Sequence, residues 1–371
     1  MIGGGTGSSG EATLAHWVSQ WVRPEIRALS AYHVADPQGL VKLDAMENPY
    51  RWPEPLVDAW LQGLRGVSLN RYPDSQATEL KACLRTAMAV PTGLEMLLGN
   101  GSDELIQLVL LALAAPGRTV LAPEPTFVMY RLLARALGLN YVGVPLRSDD
   151  FDLDFVAMAE AVRQHRPAVL FLAYPNNPTG NLWDAERLGE LIAGAPGLVV
   201  ADEAYTAFSK ATLLPILGEF PNLLVLRTVS KLGLAGLRLG LLIGLPAWLA
   251  ELEKVRLPYN INVLTQVSAR FALQHASVLQ AQVEQIVRDR EDLFARLQAL
   301  PGVMAWPSAA NFILFRVARG FGDSVFTGLR HAGVLVKNLN GSHPLLVDCL
   351  RVTVGRPTEN EAFLDALATL L

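Results

Sequence analysis

Between Leu94 and Gly244 the chain alternates short, unbroken apolar runs with stretches whose apolar residues recur at helical spacing. Residues 96–99, 119–122, 140–145, 168–173, 197–201, 222–228 and 239–244 read as strands, and 105–115, 127–137, 153–165 and 185–193 as amphipathic helices. Strands without polar alternation are buried on both faces, and intervening helices make parallel crossovers. The pattern predicts an α/β fold with a mostly parallel, seven-stranded sheet covered on both sides. After Pro258 it changes. A long helix over 278–300, apolar at Leu279, Val283, Ile286, Val287, Leu293 and Leu297, precedes strands at 311–317, 334–337 and 350–354. That order describes a smaller α+β domain. The expected division is a Gly/Ser-rich flexible leader over 1–10, an N-terminal arm over 11–44 that contributes to the small domain, a large domain over 45–257 and the small domain over 258–371.

Ligands of parallel sheets gather where loops leave the carboxyl ends of the strands. Residues 100–103, 175–180, 202–205 and 230–231 share that rim. Of the 371 residues, 31 are basic and 35 acidic, giving a net charge of −4. That balance speaks against non-specific nucleic-acid binding, and no block of Lys and Arg reverses it. No apolar run approaches the roughly 20 residues that span a bilayer. Two cysteines, Cys83 and Cys349, lack a CxxC partner, and the six histidines show no HxxxH or HxH spacing, so no metal set is predicted.

Six of the basic residues are lysines: Lys42, Lys81, Lys210, Lys231, Lys254 and Lys337. Two of them follow a serine. Lys210 has no apolar strand leading into it and reads as a solvated side chain. Lys231 follows the run 223–226 and lies among Gly233, Ala235 and Gly236, small residues that let a flat ligand approach. A lysine in such surroundings can lose its proton near neutral pH and act as a nucleophile. Arg238, seven positions on, offers a fork suited to phosphate.

The other rim motifs each have two readings. Gly101, Ser102 and Asp103 either cap a helix in the ordinary way or present backbone N–H groups to an anion. Tyr174 to Gly180 is a rigid turn, which also holds the Asn177 amide forward. Asp202 ends a buried strand, where a carboxylate is costly unless it caps a helix or meets a cation. Together these groups match the needs of pyridoxal 5′-phosphate: an amine for the aldehyde, a carboxylate for the pyridine nitrogen and a cradle for the phosphate.

The motif order from about Leu43 to Gly355 resembles the fold-type-I, class-II pyridoxal-phosphate-dependent aminotransferases, with an aspartate-aminotransferase-like large domain that binds the cofactor. Residues 42–50, 71–74, 99–106 and 350–355 resemble the histidinol-phosphate aminotransferases in particular. The resemblance implies catalytic roles for Lys231, Asp202 and Tyr205. It implies that Lys231 attaches the cofactor and moves the proton at Cα, and that Asp202 pairs with the ring nitrogen. Asn177 and Tyr205 would bond the ring hydroxyl, and Phe127 would stack on the ring where relatives more often carry tyrosine. The phosphate would meet Gly101, Ser102, Asp103, Ser230, Arg238 and Tyr72, the last reaching from a second subunit of a homodimer with shared sites.

Substrate contacts are implied at Tyr32, Asn48, Lys337 and Arg351, with Arg351 gripping the substrate anion. Lys337 stands where some relatives have arginine. The implied activity is reversible transamination between histidinol phosphate with 2-oxoglutarate and imidazole acetol phosphate with glutamate, in cytoplasmic histidine biosynthesis. Alternatives are an aminotransferase for aromatic or other amino acids, or a phospho-amino-acid decarboxylase on the same scaffold. A cofactor-sensing regulator would need a DNA-binding module, and the 40 or so residues before Lys42 show no helix-turn-helix pattern.

Overall fold

The computed structural model describes residues 8–31 and 34–371. In chain order, β1 (Val41–Lys42) precedes seven strands: β2 (Glu95–Asn100), β3 (Thr119–Glu124), β4 (Asn140–Pro145), β5 (Val169–Ala173), β6 (Leu198–Asp202), β7 (Leu223–Thr228) and β8 (Leu239–Gly244). These seven form one sheet in the order β2-β8-β7-β6-β5-β3-β4. β8 runs antiparallel to both neighbours and the other pairs are parallel. Every residue of β5, β6, β7 and β8 is buried, which is why their sequences show no polar alternation. Alternate strand residues feed two separate cores, Leu121, Leu170 and Val199 on one face and Val120, Val169 and Val200 on the other.

Five more strands follow: β9 (Met304–Ala305), β10 (Phe312–Arg316), β11 (Val334–Leu335), β12 (Lys337–Asn338) and β13 (Cys349–Thr353). An antiparallel sheet β12-β13-β10-β9 forms the small unit, with β1 and β11 paired in parallel beside it. The helix Ala276–Gln298 buries Leu279, Val283, Ile286, Leu293 and Leu297 along one stripe. The strand expected over 334–337 is in fact two, because the chain changes partner at Val336: β11 joins β1 and β12 joins β13.

Two expected boundaries differ. Ile261, Ala269 and Ala272 pack in the large-domain core, so the helix Val263–Gln274 sits with the large unit although it follows residue 257. Among the described residues of the arm, the segment around β1 and Leu43 joins the small unit, while Arg23 bonds the carbonyl of Ala136 on the large one. The helix Ser8–Trp21 begins inside the expected leader, carried back from good helix formers such as Glu11, Ala12, Leu14 and Ala15, while residues 1–7 lie outside the described residues. No helix among the described residues is long and apolar enough to cross a membrane.

Because β8 runs against its neighbours, its amino end lies on the rim where β2, β6 and β7 end. Gly240 there opposes Gly99 and Thr228. A side chain on Gly240 would bring its Cβ within 2.6 Å of the Gly101 carbonyl carbon and 2.7 Å of the Ser102 nitrogen. Those backbone atoms start the helix Ser102–Leu113, so they cannot step aside without moving it. Gly240→Ala is therefore expected to destabilise the protein by about 2 kcal/mol or more in urea melts. Gly236→Ala, where a Cβ meets nothing within 4 Å, is the control and should melt like the parent. Equal losses in both would contradict this packing.

Candidate functional site

The rim loops converge on a cavity of about 110 Å³ lined by Lys231, Asp202, Tyr205, Asn177, Phe127, Ser230, Ser102, Asp103 and Arg238. Nine predicted side chains thus meet in one place. Gly101 lies behind them, its φ of 82° turning β2 into the helix Ser102–Leu113 so that the helix start faces the cavity. The Asp103 carboxylate, which would repel an anion, lies 3.5 Å from the Arg238 guanidinium. Ser230 is held by Thr228, whose hydroxyl accepts its backbone N–H at 3.1 Å.

Asp202, at the end of β6, is buried in the middle of the sheet. Its Oδ2 accepts a hydrogen bond from the Tyr130 hydroxyl at 2.6 Å and its Oδ1 one from the Ala204 N–H at 3.1 Å. Desolvation outweighs these bonds and raises its pKa to about 6. Its neighbour Glu203, though equally buried, is spoken for: Arg227, Thr212 and the Leu213 N–H all donate to it.

Lys231 shows the opposite displacement. Burial, then the charge of Arg351, lowers its pKa to about 8. Its Nζ lies over the Tyr205 ring at 5.5 Å and reaches the Ala45 carbonyl at 3.5 Å, the outer limit of a hydrogen bond. The amine is loosely tethered and able to swing. Lys210 is exposed, as its sequence context predicts.

Asn177 is fixed from both ends. Its Nδ2 donates to the Tyr205 hydroxyl at 3.1 Å, and its Oδ1 accepts from Arg351. The Arg351 bond settles which end is oxygen, and the second Nδ2 hydrogen stays available. Arg351 also donates to the Asp44 carbonyl at 3.0 Å and stacks over Phe312 at 5.1 Å. It is the link from the small unit into the site.

A second cavity of about 330 Å³ adjoins the first, sharing Met46, Phe127 and Asn177. Lys337 and Arg351 both line it, and they are direct partners across β12 and β13. Like charges opposite each other on one sheet face repel, and an anion between them relieves that cost. Glu124, ion-paired with Arg131, and His343 form another part of its wall. The His343 Nδ1 accepts the Leu345 N–H at 3.2 Å and burial lowers its pKa, so its proton sits on Nε2.

Two predicted residues stand elsewhere. Asn48 gives its amide to Gln282 at 3.0 Å and lines neither cavity. Tyr72 is 81% exposed and stacks on Tyr259, with ring centroids 4.5 Å apart. Tyr32 lies outside the described residues. Sequence reading missed Tyr130, Met46, Glu124 and His343. Nothing in the sequence singles out Tyr130: Phe127, three residues earlier, lies ahead of the helix Met129–Ala136 that carries Tyr130, so the two share no helical face. No group of His, Cys, Asp and Glu among the described residues is arranged to hold a metal.

The profile of the aminotransferase class I and II family matches residues 38–367. The chain is 60% identical to histidinol-phosphate aminotransferase 2 of Nitrosococcus oceani over 350 residues, 94% of this chain and 97% of that one. It is 55% identical to histidinol-phosphate aminotransferase 1 of Ralstonia nicotianae, over 94% of each chain. Among solved structures, histidinol-phosphate aminotransferase from Sinorhizobium meliloti in complex with pyridoxal-5′-phosphate superposes with a TM-score of 0.84. That match covers 94% of this chain and 97% of the other at 23% identity, a likeness of fold.

Because the pKa of Asp202 is raised by burial, its ionisation costs stability as pH climbs from about 4 to about 6, and the full cost is present above. In the cofactor-free protein Asp202→Asn should therefore gain about 2–3 kcal/mol at pH 8 and close to nothing at pH 4, read from urea melts. A gain that is the same at both pH values would contradict a buried, ionising carboxylate.

Proposed function

The chain belongs to the class I and II aminotransferases, and on that footing we propose that it is a pyridoxal-phosphate-dependent transaminase acting on histidinol phosphate. The observation that carries the chemistry is one cavity holding a depressed amine, Lys231, and a buried carboxylate, Asp202. The residues present fit the cofactor. A cationic pyridine nitrogen is the partner the Asp202 carboxylate needs, and a phosphate suits the helix start with Ser102, Ser230 and Arg238. When bound, the cofactor supplies an aldehyde for an amine and a ring that draws electrons from the substrate Cα.

The chain's own residues do the rest. Near its pKa of about 8, a sizeable share of Lys231 is unprotonated, able to attack a carbonyl and then to carry a proton to and from Cα. Asp202 keeps a proton on the ring nitrogen. Asn177, with its second hydrogen, and Tyr205 would hold the ring hydroxyl, and Phe127 would offer its ring for stacking. Arg351 and Lys337, set opposite each other, take the substrate's phosphate in one half-reaction, and Arg351 takes the carboxylate of glutamate in the other.

The substrate reading rests on the two relatives above and on this cationic pair at the entrance. The exposed Tyr72 fits a contact with the phosphate in a partner's site, making the working form a homodimer. As an enzyme of histidine biosynthesis it works in the cytoplasm. Tyr32 and Asn48 stay with the proposal as substrate contacts; for Asn48 this requires its bond to Gln282 to open.

Purified protein with pyridoxal phosphate should absorb visible light, and Lys231→Ala should abolish that band while Lys210→Ala keeps it. The opposite outcome moves the role to Lys210. With 2-oxoglutarate as acceptor, histidinol phosphate should turn over far faster than phenylalanine or aspartate; equal turnover of all three would contradict the substrate proposal. Lys337→Ala should raise KM for histidinol phosphate about tenfold or more with KM for glutamate changed little, because Lys337 meets the phosphate and has no part in holding the carboxylate.

A further inference from the structure

Tyr130 has no part in the scheme above, yet it touches two walls of the site. It is wholly buried, and its hydroxyl donates to Asp202 Oδ2 at 2.6 Å. Its ring lies flat on Phe171, with centroids 4.4 Å apart and planes 4° from parallel. Phe127 meets it edge-on at 5.6 Å and 85°. A stacked, enclosed ring has no freedom to turn, so its hydroxyl points one way. With the Ala204 N–H on the other oxygen, the carboxylate of Asp202 is held in one rotamer.

We propose that Tyr130 is a positioning residue: it fixes the direction and favours the charge of the Asp202 carboxylate, and it braces Phe127, so that both present themselves to one bound pyridine ring. The proposal rests on the cofactor reading given above. Its leverage comes from the surroundings of Asp202. Burial first, and then the carboxylates of Asp103 and Glu203, oppose its ionisation. The Tyr130 hydroxyl and the Ala204 N–H are the donors that favour the charge, and a hydrogen bond to a charged, buried group is among the stronger ones. The Tyr130 ring alone fills the space against Phe171 and Phe127. Tyr130→Phe therefore removes the hydroxyl and keeps the packing.

The test compares the parent with Tyr130→Phe and Tyr130→Leu. In cofactor-free protein the Asp202 carboxyl carbon is followed by NMR through a pH titration, its signal identified by its loss in Asp202→Asn. Tyr130→Phe should titrate roughly one pH unit higher than the parent. Its pyridoxal phosphate should dissociate about tenfold more readily. Its kcat should fall about tenfold with KM for histidinol phosphate nearly unchanged. Its melting temperature should stay within a few degrees of the parent's, whereas Tyr130→Leu should lose stability as well.

A Tyr130→Phe protein with the parent's Asp202 titration and the parent's cofactor affinity would overturn the proposal, whatever its melting temperature. Failure of the parent to take up pyridoxal phosphate would overturn the cofactor reading instead. The titration in cofactor-free protein would still decide the role of Tyr130.

Discussion

The carboxylate of Asp202 sits at the carboxyl end of a strand whose five residues are all buried, in the middle of a seven-stranded sheet. Few places in a protein are less hospitable to a negative charge. The surrounding structure answers that constraint. Tyr130 and the Ala204 N–H hold the two oxygens, and the face left open looks into the small cavity. Glu203, one residue on, meets the same problem differently, through a complete ion pair with Arg227. Two adjacent acids, one fully paired inside the protein and one left facing a cavity, separate a packing role from a binding role.

Lys231 completes the logic from the other sign. Burial and Arg351 lower its pKa, while burial raises that of Asp202, so both groups leave their usual ranges toward neutral pH. Arg351 ties the two units together. It comes from the small sheet, orients the Asn177 amide of the large one and stands opposite Lys337 at the outer cavity. The small unit therefore brings Lys337 and Arg351 to the outer cavity, and the large unit brings Asp202, Lys231 and Arg238 to the inner one.

Much of this was legible in the chain. The seven strands of the large sheet lie where short apolar runs place them; burial on both faces leaves a plain signal in β5 to β8, whereas the edge strand β4 buries only Val144. Two-residue strands such as Val41–Lys42 and Met304–Ala305 carry no period to read, and the break at Val336 depends on which strand each half pairs with. The cavity residues came from loop positions after strands, a rule of topology. The Tyr130–Asp202 bond spans 72 positions, and nothing local to either residue announces it. Tyr72 and Asn48 show the limit of resemblance: it assigns them roles, while their contacts within one chain point to Tyr259 and Gln282.

Chemical trapping shows whether Lys231 is the amine that joins the cofactor. Protein loaded with pyridoxal phosphate is reduced with borohydride, which fixes the attached group to its lysine, then digested and mapped by mass. The added mass is expected on the peptide holding Lys231 and not on the peptides holding Lys210 or Lys337. Label on another lysine, or on none, would contradict that role for Lys231.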